Sequence, residues 1–250
     1  MTFWYFIDTG ENTGRFNMDF DLELVERVAT NNIPILRFYR WKPYAISLGH
    51  NQNINSINFI KCEENKIDVV RRPTGGRAIL HAEELTYSVT FPLEKFSPQE
   101  MYQLINKALV EGLHEYHPAL RRIELEKNQI DFKTFYKSAR SIPCFSSSAR
   151  SEIKFLNRKL IGSAQRVIGN VLLQHGSILC GEFHKKIVDF LNLSDEEKMI
   201  LSQDLNEKTI SLSEILKEKL DYDRLKDSLR KGFQKIFDVE LVYFEMERIR

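Results

Sequence analysis

Apolar residues fall in two rhythms along this chain. In the first half, short β-branched and aromatic runs at Leu36 to Tyr39, Ala45 to Leu48, Val69 to Arg71 and Thr86 to Phe91 read as strands, because such side chains suit a pleated, half-buried surface. A helix is predicted ahead of them, over Met18 to Ala29. A second begins at Ser97-Pro98-Gln99-Glu100, which joins an N-cap serine, a proline at the first helical position and a glutamate that closes a capping box. Behind that start, Met101, Leu104, Ile105, Ala108, Leu109 and Leu113 recur at helical spacing and form a stripe that packs on a sheet.

The period returns to two between Glu152 and Leu179. Ile153-Phe155, Leu160-Ile168 and Val171-Leu179 read as three antiparallel strands, with Asn157-Arg158 and Gly169-Asn170 as turns. Beyond them, Ser194 with Glu197 and Ser211 with Glu214 are capping boxes. Leu225, Leu229, Phe233 and Ile236 make another helical stripe before a last strand, Val239 to Phe244.

Composition narrows the class. With 250 residues and 42% hydrophobic content, the chain has material for one substantial core. We expect one domain over 1–250, with 190–250 a helical C-terminal extension packed on it. The 36 basic and 35 acidic residues leave a formal charge of +1, so there is no general pull toward a nucleic acid or an anionic membrane. The N-terminal stretch meets Asp8 before any apolar run is long enough for a signal peptide or membrane span, which predicts a cytoplasmic protein. Cys62, Cys144 and Cys180 contain no CxxC pair and are too few for a disulfide framework. His50, His114, His117 and His184 show no metal-ligand spacing, so no metal site is expected.

The most informative stretch is Arg71-Arg72-Pro73-Thr74-Gly75-Gly76-Arg77-Ala78-Ile79-Leu80-His81, set between two apolar runs. Adjacent glycines allow positive φ and a close backbone approach, so successive N–H groups can face a phosphate or carbonyl oxygen. The flanking arginines can add charge-assisted bonds. An ordinary tight turn with surface arginines is the alternative reading of Gly-Gly alone.

The stretch from Arg71 to Val89 resembles the glycine-rich signature of the biotin/lipoate protein ligase superfamily, in its lipoate A/B protein ligase family. Its Pro-Thr-Gly-Gly-Arg form is closest to the octanoyltransferases of lipoate biosynthesis that act through a cysteine. Other segments match in the same order: Phe38-Tyr39-Arg40-Trp41, Ser47-Leu48-Gly49, Lys159-Leu160-Ile161-Gly162-Ser163-Ala164-Gln165 and Gln174-His175-Gly176-Ser177. The resemblance implies an α+β fold, a mixed, mainly antiparallel sheet flanked by helices, with an acyl-binding tunnel beneath the glycine loop. It implies acyl carrier protein as donor and a lysine of a lipoyl domain or of the glycine-cleavage H protein as acceptor.

In similar transferases a cysteine at the position of Cys144 carries the acyl group, and the lysine corresponding to Lys159 lies at the acyl carbonyl. Cys144 sits in a serine-rich segment that reads as a loop. A free thiol has a pKa near ~8.5, and a nearby cation such as Lys159 would favour the thiolate. The implied chemistry is attack of Cys144 on an acyl thioester and discharge to an amine, with no cofactor required. The substrate-binding candidates are Arg71, Arg72, Thr74, Gly75, Gly76, Arg77, His81, Gly162, Ser163, Ala164, Gln165, His175 and Gly176. His81 and His175 could hydrogen-bond the ligand, shuttle a proton or brace the loops. Cys62 and Cys180 are expected to pack.

Three positions depart from the family. Ala82 stands where aspartate is usual, and Ser148 and Ser151 lie near positions that commonly hold proline and tyrosine. Two other functions use the same features. An ATP-dependent lipoate–protein ligase, with ATP and magnesium, would form an acyl-adenylate, although its loop generally reads Ser-Gly-Gly-Gly. A non-catalytic module would hold the acyl group or its carrier without turnover.

Overall fold

Strands that are buried on both faces lose the alternation of half-exposed ones and read as nearly continuous apolar runs. The middle of the first strand, β1 (Thr2–Asn12), is such a case. Its Phe3-Trp4-Tyr5-Phe6-Ile7 run has no polar alternation, and the sequence reading does not include it among the strands. Trp4, Phe6 and Ile7 are all buried. The computed structural model describes residues 2–125 and 153–244.

After β1 come helix α1 (Gly14–Asn31), strands β2 (Ile35–Trp41) and β3 (Ala45–Leu48), and the short helix α2 (Phe59–Glu64). Strands β4 (Asp68–Arg71), β5 (Ile79–His81) and β6 (Glu84–Pro92) bracket the glycine loop. Helix α3 (Pro98–Tyr116) starts at the anticipated Ser97 capping box, and β7 (Ile123–Leu125) follows it. The meander is β8 (Ile153–Phe155), β9 (Arg158–Ile168) and β10 (Val171–Leu179). A 3-10 stretch, Phe183–Phe190, leads to α4 (Asp195–Lys208), α5 (Leu212–Leu216), α6 (Tyr222–Phe237) and β11 (Val239–Tyr243).

Among the described residues these strands make two sheets. The larger has the order β11-β1-β2-β6-β10-β9-β8-β7, and the smaller β4-β3-β5. β11, β1 and β2 run parallel, while every pairing from β2 to β7 is antiparallel. This is the expected mixed, mainly antiparallel sheet. The tail both covers the sheet with α6 and extends it with β11.

The larger sheet buries one face under α3 and α6, where Phe38, Tyr87, Leu109, Leu172, Leu229 and Phe233 share the main core. Burying each such side chain contributes about 1.5–3 kcal/mol. Gly112 and Gly232 let the two helices meet closely, since a Cβ on Gly232 would lie 2.3 Å from the Ala108 carbonyl oxygen. On the other face, α1 covers Ile7, Ile35 and Leu173. The smaller sheet has its own core with Phe190, Leu201 and Leu205. Its strands flank the glycine loop, which meets β9 and β10 of the larger sheet through Arg166 and His175.

Two details of the meander differ from the sequence reading. The first turn is Leu156-Asn157, with φ of 48° and 65°, and Arg158 already belongs to β9. A two-residue hairpin with both central residues at positive φ matches the twist of the strands it joins. Leu156 is an unusual residue for that position, which is why Asn-Arg reads as the turn. The second turn begins at Gly169, with φ of 60°, as expected.

Candidate active site

The glycine loop is held from both ends by the two arginines that open it. Arg71 Nη1 donates to the carbonyls of Gly49, His50 and Gln52 at 2.8, 2.9 and 2.9 Å. Arg72 Nη2 donates to the Gly75 and Arg77 carbonyls at 2.8 and 2.7 Å, and its Nη1 to the Ser47 carbonyl at 2.9 Å. The arginines read as ligand contacts thus fix main-chain carbonyls that a tight loop would otherwise bury unpaired. Gly76 has φ of 96°, which a side chain would resist. A Cβ on Gly49 would lie 1.9 Å from the Gly76 carbonyl oxygen, so backbone rests on backbone there.

Two histidines tie the loop to the sheet. Thr74 Oγ1 lies 2.6 Å from His175 Nε2, and His175 Nδ1 lies 3.1 Å from Asp21 Oδ2. Asp21 on α1 also takes Arg37 Nη1 at 2.7 Å and the hydroxyls of Ser88 and Tyr39 at 2.9 and 3.2 Å. Burial alone would raise the Asp21 pKa, but the Arg37 guanidinium and His175 hold it below the ordinary value. With that carboxylate ionised, His175 Nδ1–H donates to it, and Nε2 accepts from Thr74. Burial lowers the His175 pKa, against the pull of Asp21.

His81 ends β5. Its Nε2 is 2.7 Å from Ser47 Oγ and its Nδ1 is 2.8 Å from Glu84 Oε1. The ring stacks on Trp41 with centroids 4.0 Å apart and an interplanar angle of 11°. The carboxylate beside His81 therefore comes from Glu84, while Ala82, at the family's aspartate position, is buried.

These groups surround a cavity. Its walls include six of the predicted binding residues besides His81: Arg72, Gly162, Ser163, Ala164, His175 and Gly176. Arg71, Thr74, Gly75, Gly76, Arg77 and Gln165 are not among the lining residues. Met18, Tyr39, Trp41, Ser47, Ile79, Thr86 and Ser177 also line it, and the sequence reading does not name them as site residues. Some were legible as two-residue offsets, since Ser177 follows His175 and Trp41 follows Tyr39 on one strand face.

Lys159 is buried and is not among the lining residues. It sits beside a bulge: Ile161 pairs with Ile153 and Lys159 with Lys154, so two steps on β9 face one on β8. Leu160 and Ile161 both enter the core beneath α3, which an extra residue permits. Cys144 lies outside the described residues, as do Ser148 and Ser151. Burial raises the thiol of Cys62 to about 11 and that of Cys180 to about 12, which suits packing rather than reaction.

A sequence match to the lipoyl protein ligase A/B catalytic domain runs over residues 13–234 and takes in every one of these motifs. The chain belongs to that family. Octanoyltransferase LipM of Lysinibacillus sphaericus is 33% identical to it, over 98% of this chain and 91% of the relative. The same-named protein of Bacillus subtilis is 32% identical, over 98% and 90%. The lipoyl protein ligase A/B fold recurs in a solved structure of lipoate-protein ligase A bound with ATP, with a TM-score of 0.73 and 18% identity, covering 99% of this chain and 92% of that one. A bipartite lipoate protein ligase from Thermoplasma acidophilum gives a TM-score of 0.75 at 17% identity, over 100% and 90%. Like these full-length relatives, this member of the family is an enzyme, an acyltransferase.

Proposed function

We propose that this protein moves an octanoyl group from acyl carrier protein to a lysine of a lipoyl domain or of the glycine-cleavage H protein, through a thioester on Cys144. The observation that carries the reading is the convergence of Arg72 and His81, Gly162 and Ala164, and His175 and Gly176 on one cavity. The first pair comes from the glycine loop and β5, the other two from the much later β9–β10 hairpin. The cavity's mixture of apolar wall and few polar groups suits an acyl chain ending in a carbonyl.

In this reading Cys144 attacks the donor carbonyl and the carrier thiol leaves. Lys159, buried on β9, favours the thiolate and the developing oxyanion. A thioester is already activated, so neither ATP nor another cofactor enters. The whole chain acts as one catalytic domain in the cytoplasm. Among the described residues no helix is long and apolar enough to cross a membrane.

The test is intact-protein mass spectrometry after incubation with octanoyl-acyl carrier protein, followed by addition of an apo lipoyl domain. One octanoyl adduct should form on the wild type, vanish when the lipoyl domain is supplied, and be missing in Cys144→Ala. Product formed only from free octanoate and ATP would establish ligase chemistry in its place.

A further inference from the structure

We propose that Ser47, His81 and Glu84 form a proton relay on the cavity wall, taking the proton that the acceptor amine loses as its amide bond forms. The inference rests on the acyl-transfer reading above and assigns that reaction its base.

Hydrogen directions follow from the members that can act in only one sense. An ionised carboxylate only accepts, and an indole N–H or a guanidinium only donates. Glu84 Oε1, buried, takes His81 Nδ1 at 2.8 Å, so the ring hydrogen sits on Nδ1. Nε2 of the neutral ring is then an acceptor, and Ser47 must donate to it at 2.7 Å. Arg72 Nη1 donates to the same Ser47 oxygen at 3.1 Å. On the far side, Trp41 Nε1 donates to Thr86 Oγ1 at 2.8 Å, and Thr86 passes its hydrogen to Glu84 Oε1 at 2.5 Å. Ser177 Oγ adds a third donor to that oxygen at 2.9 Å.

The result is hydroxyl, base and orienting carboxylate in line, at separations that suit proton transfer. Ser47 and His81 both face the cavity. The Trp41 indole stacks on the ring and fixes its plane, and the other Glu84 oxygen, Oε2, is buried with no hydrogen-bond partner among the described residues. Charged and titratable groups also surround the pair. Arg72 comes from the glycine loop and His175 from β10, while Tyr39, Cys180 and His184 lie within electrostatic reach of Glu84.

The proton count closes. The amine nitrogen bonds to the acyl carbon and the carbon–sulfur bond breaks. One amine proton passes to Ser47 Oγ while the hydrogen of Ser47 moves to His81 Nε2. The departing thiolate takes one proton back from the relay, leaving an amide, a thiol and the relay in its starting state, with Glu84 ionised and His81 neutral.

The experiment follows octanoyl transfer to an apo lipoyl domain between pH 5 and 9, about the range over which a histidine titrates, for wild type, Ser47→Ala, Ser47→Thr and Glu84→Gln. We expect Glu84→Gln to lower kcat by about 10²-fold or more, to leave the donor KM within about twofold, and to move the acid limb of kcat to lower pH. Ser47→Ala should lower kcat, and Ser47→Thr should restore it by returning the hydroxyl. If Glu84→Gln does not fold, the alanine and threonine pair decides. Wild-type kcat and pH profile in Ser47→Ala would overturn the relay, as would an octanoyl ester recovered on Ser47. A wild type that transfers nothing would overturn the proposed function instead, and the relay with it.

Discussion

A guanidinium without solvent must find an acceptor for each of its five hydrogens. Arg37 does so: two bonds reach Thr9 Oγ1, and one each goes to the Asn17 carbonyl, Asn17 Oδ1 and Asp21 Oδ1. This cluster anchors the Asp21 carboxylate that orients His175. Nothing in the local sequence around Arg37 marks it as buried, because its acceptors sit 16 to 28 positions away. The two motif histidines were legible from their motifs, whereas Asp21 and Glu84, which set their tautomers, were not. His184, held by the Gly181 carbonyl and the Thr209 hydroxyl, shows what burial does to a histidine. Burial lowers its pKa to about 4, against the pull of the Gly181 carbonyl. The unfolded chain, near ~6.5, therefore binds the proton more readily, and stability falls as pH drops from about 6.5 to about 4. The loss from this group amounts to about 3 kcal/mol over that window. Urea unfolding at several pH values should show His184→Gln with a flatter profile than wild type across the same range.

Elements were read most accurately where termini carry their own chemistry. The capping boxes at Ser97, Ser194 and Ser211 all form, because each satisfies orphan N–H groups locally. The β9 bulge was not legible, since an extra residue shows only against a partner strand. The close crossing of α3 and α6 was equally hidden, although Gly112 and Gly232 permit it. On an exposed helix, replacing glycine by alanine would stabilise by about 1 kcal/mol. At Gly232 the new methyl would meet the Ala108 carbonyl oxygen and the Gly112 backbone within 2.3 to 2.9 Å. We expect Gly232→Ala to cost about 1–3 kcal/mol, read as a lower denaturation midpoint with an unchanged slope.

At the scale of the molecule, the site exists because two sheets meet. Strands β9 and β10 supply one wall of the cavity, while Ser47, Ile79 and His81 of the smaller sheet supply another. No single stretch of sequence contains that meeting, and so the motif residues were legible while much of their apolar lining was not. Ala164 lies on the β9 wall, and a larger side chain there would shorten the space for an acyl chain. Ala164→Leu should reduce kcat/KM for an octanoyl donor by about tenfold or more and leave a butyryl donor nearly unaffected, as measured by transfer to a lipoyl domain. The contact between Gly49 and Gly76, where no Cβ can intrude, carries this geometry furthest. Main chain passes so near main chain there that the loop's seat beside the chamber is set by backbone as well as by the bonds of Thr74 and Arg72. A single methyl at position 49 would push the loop off that seat.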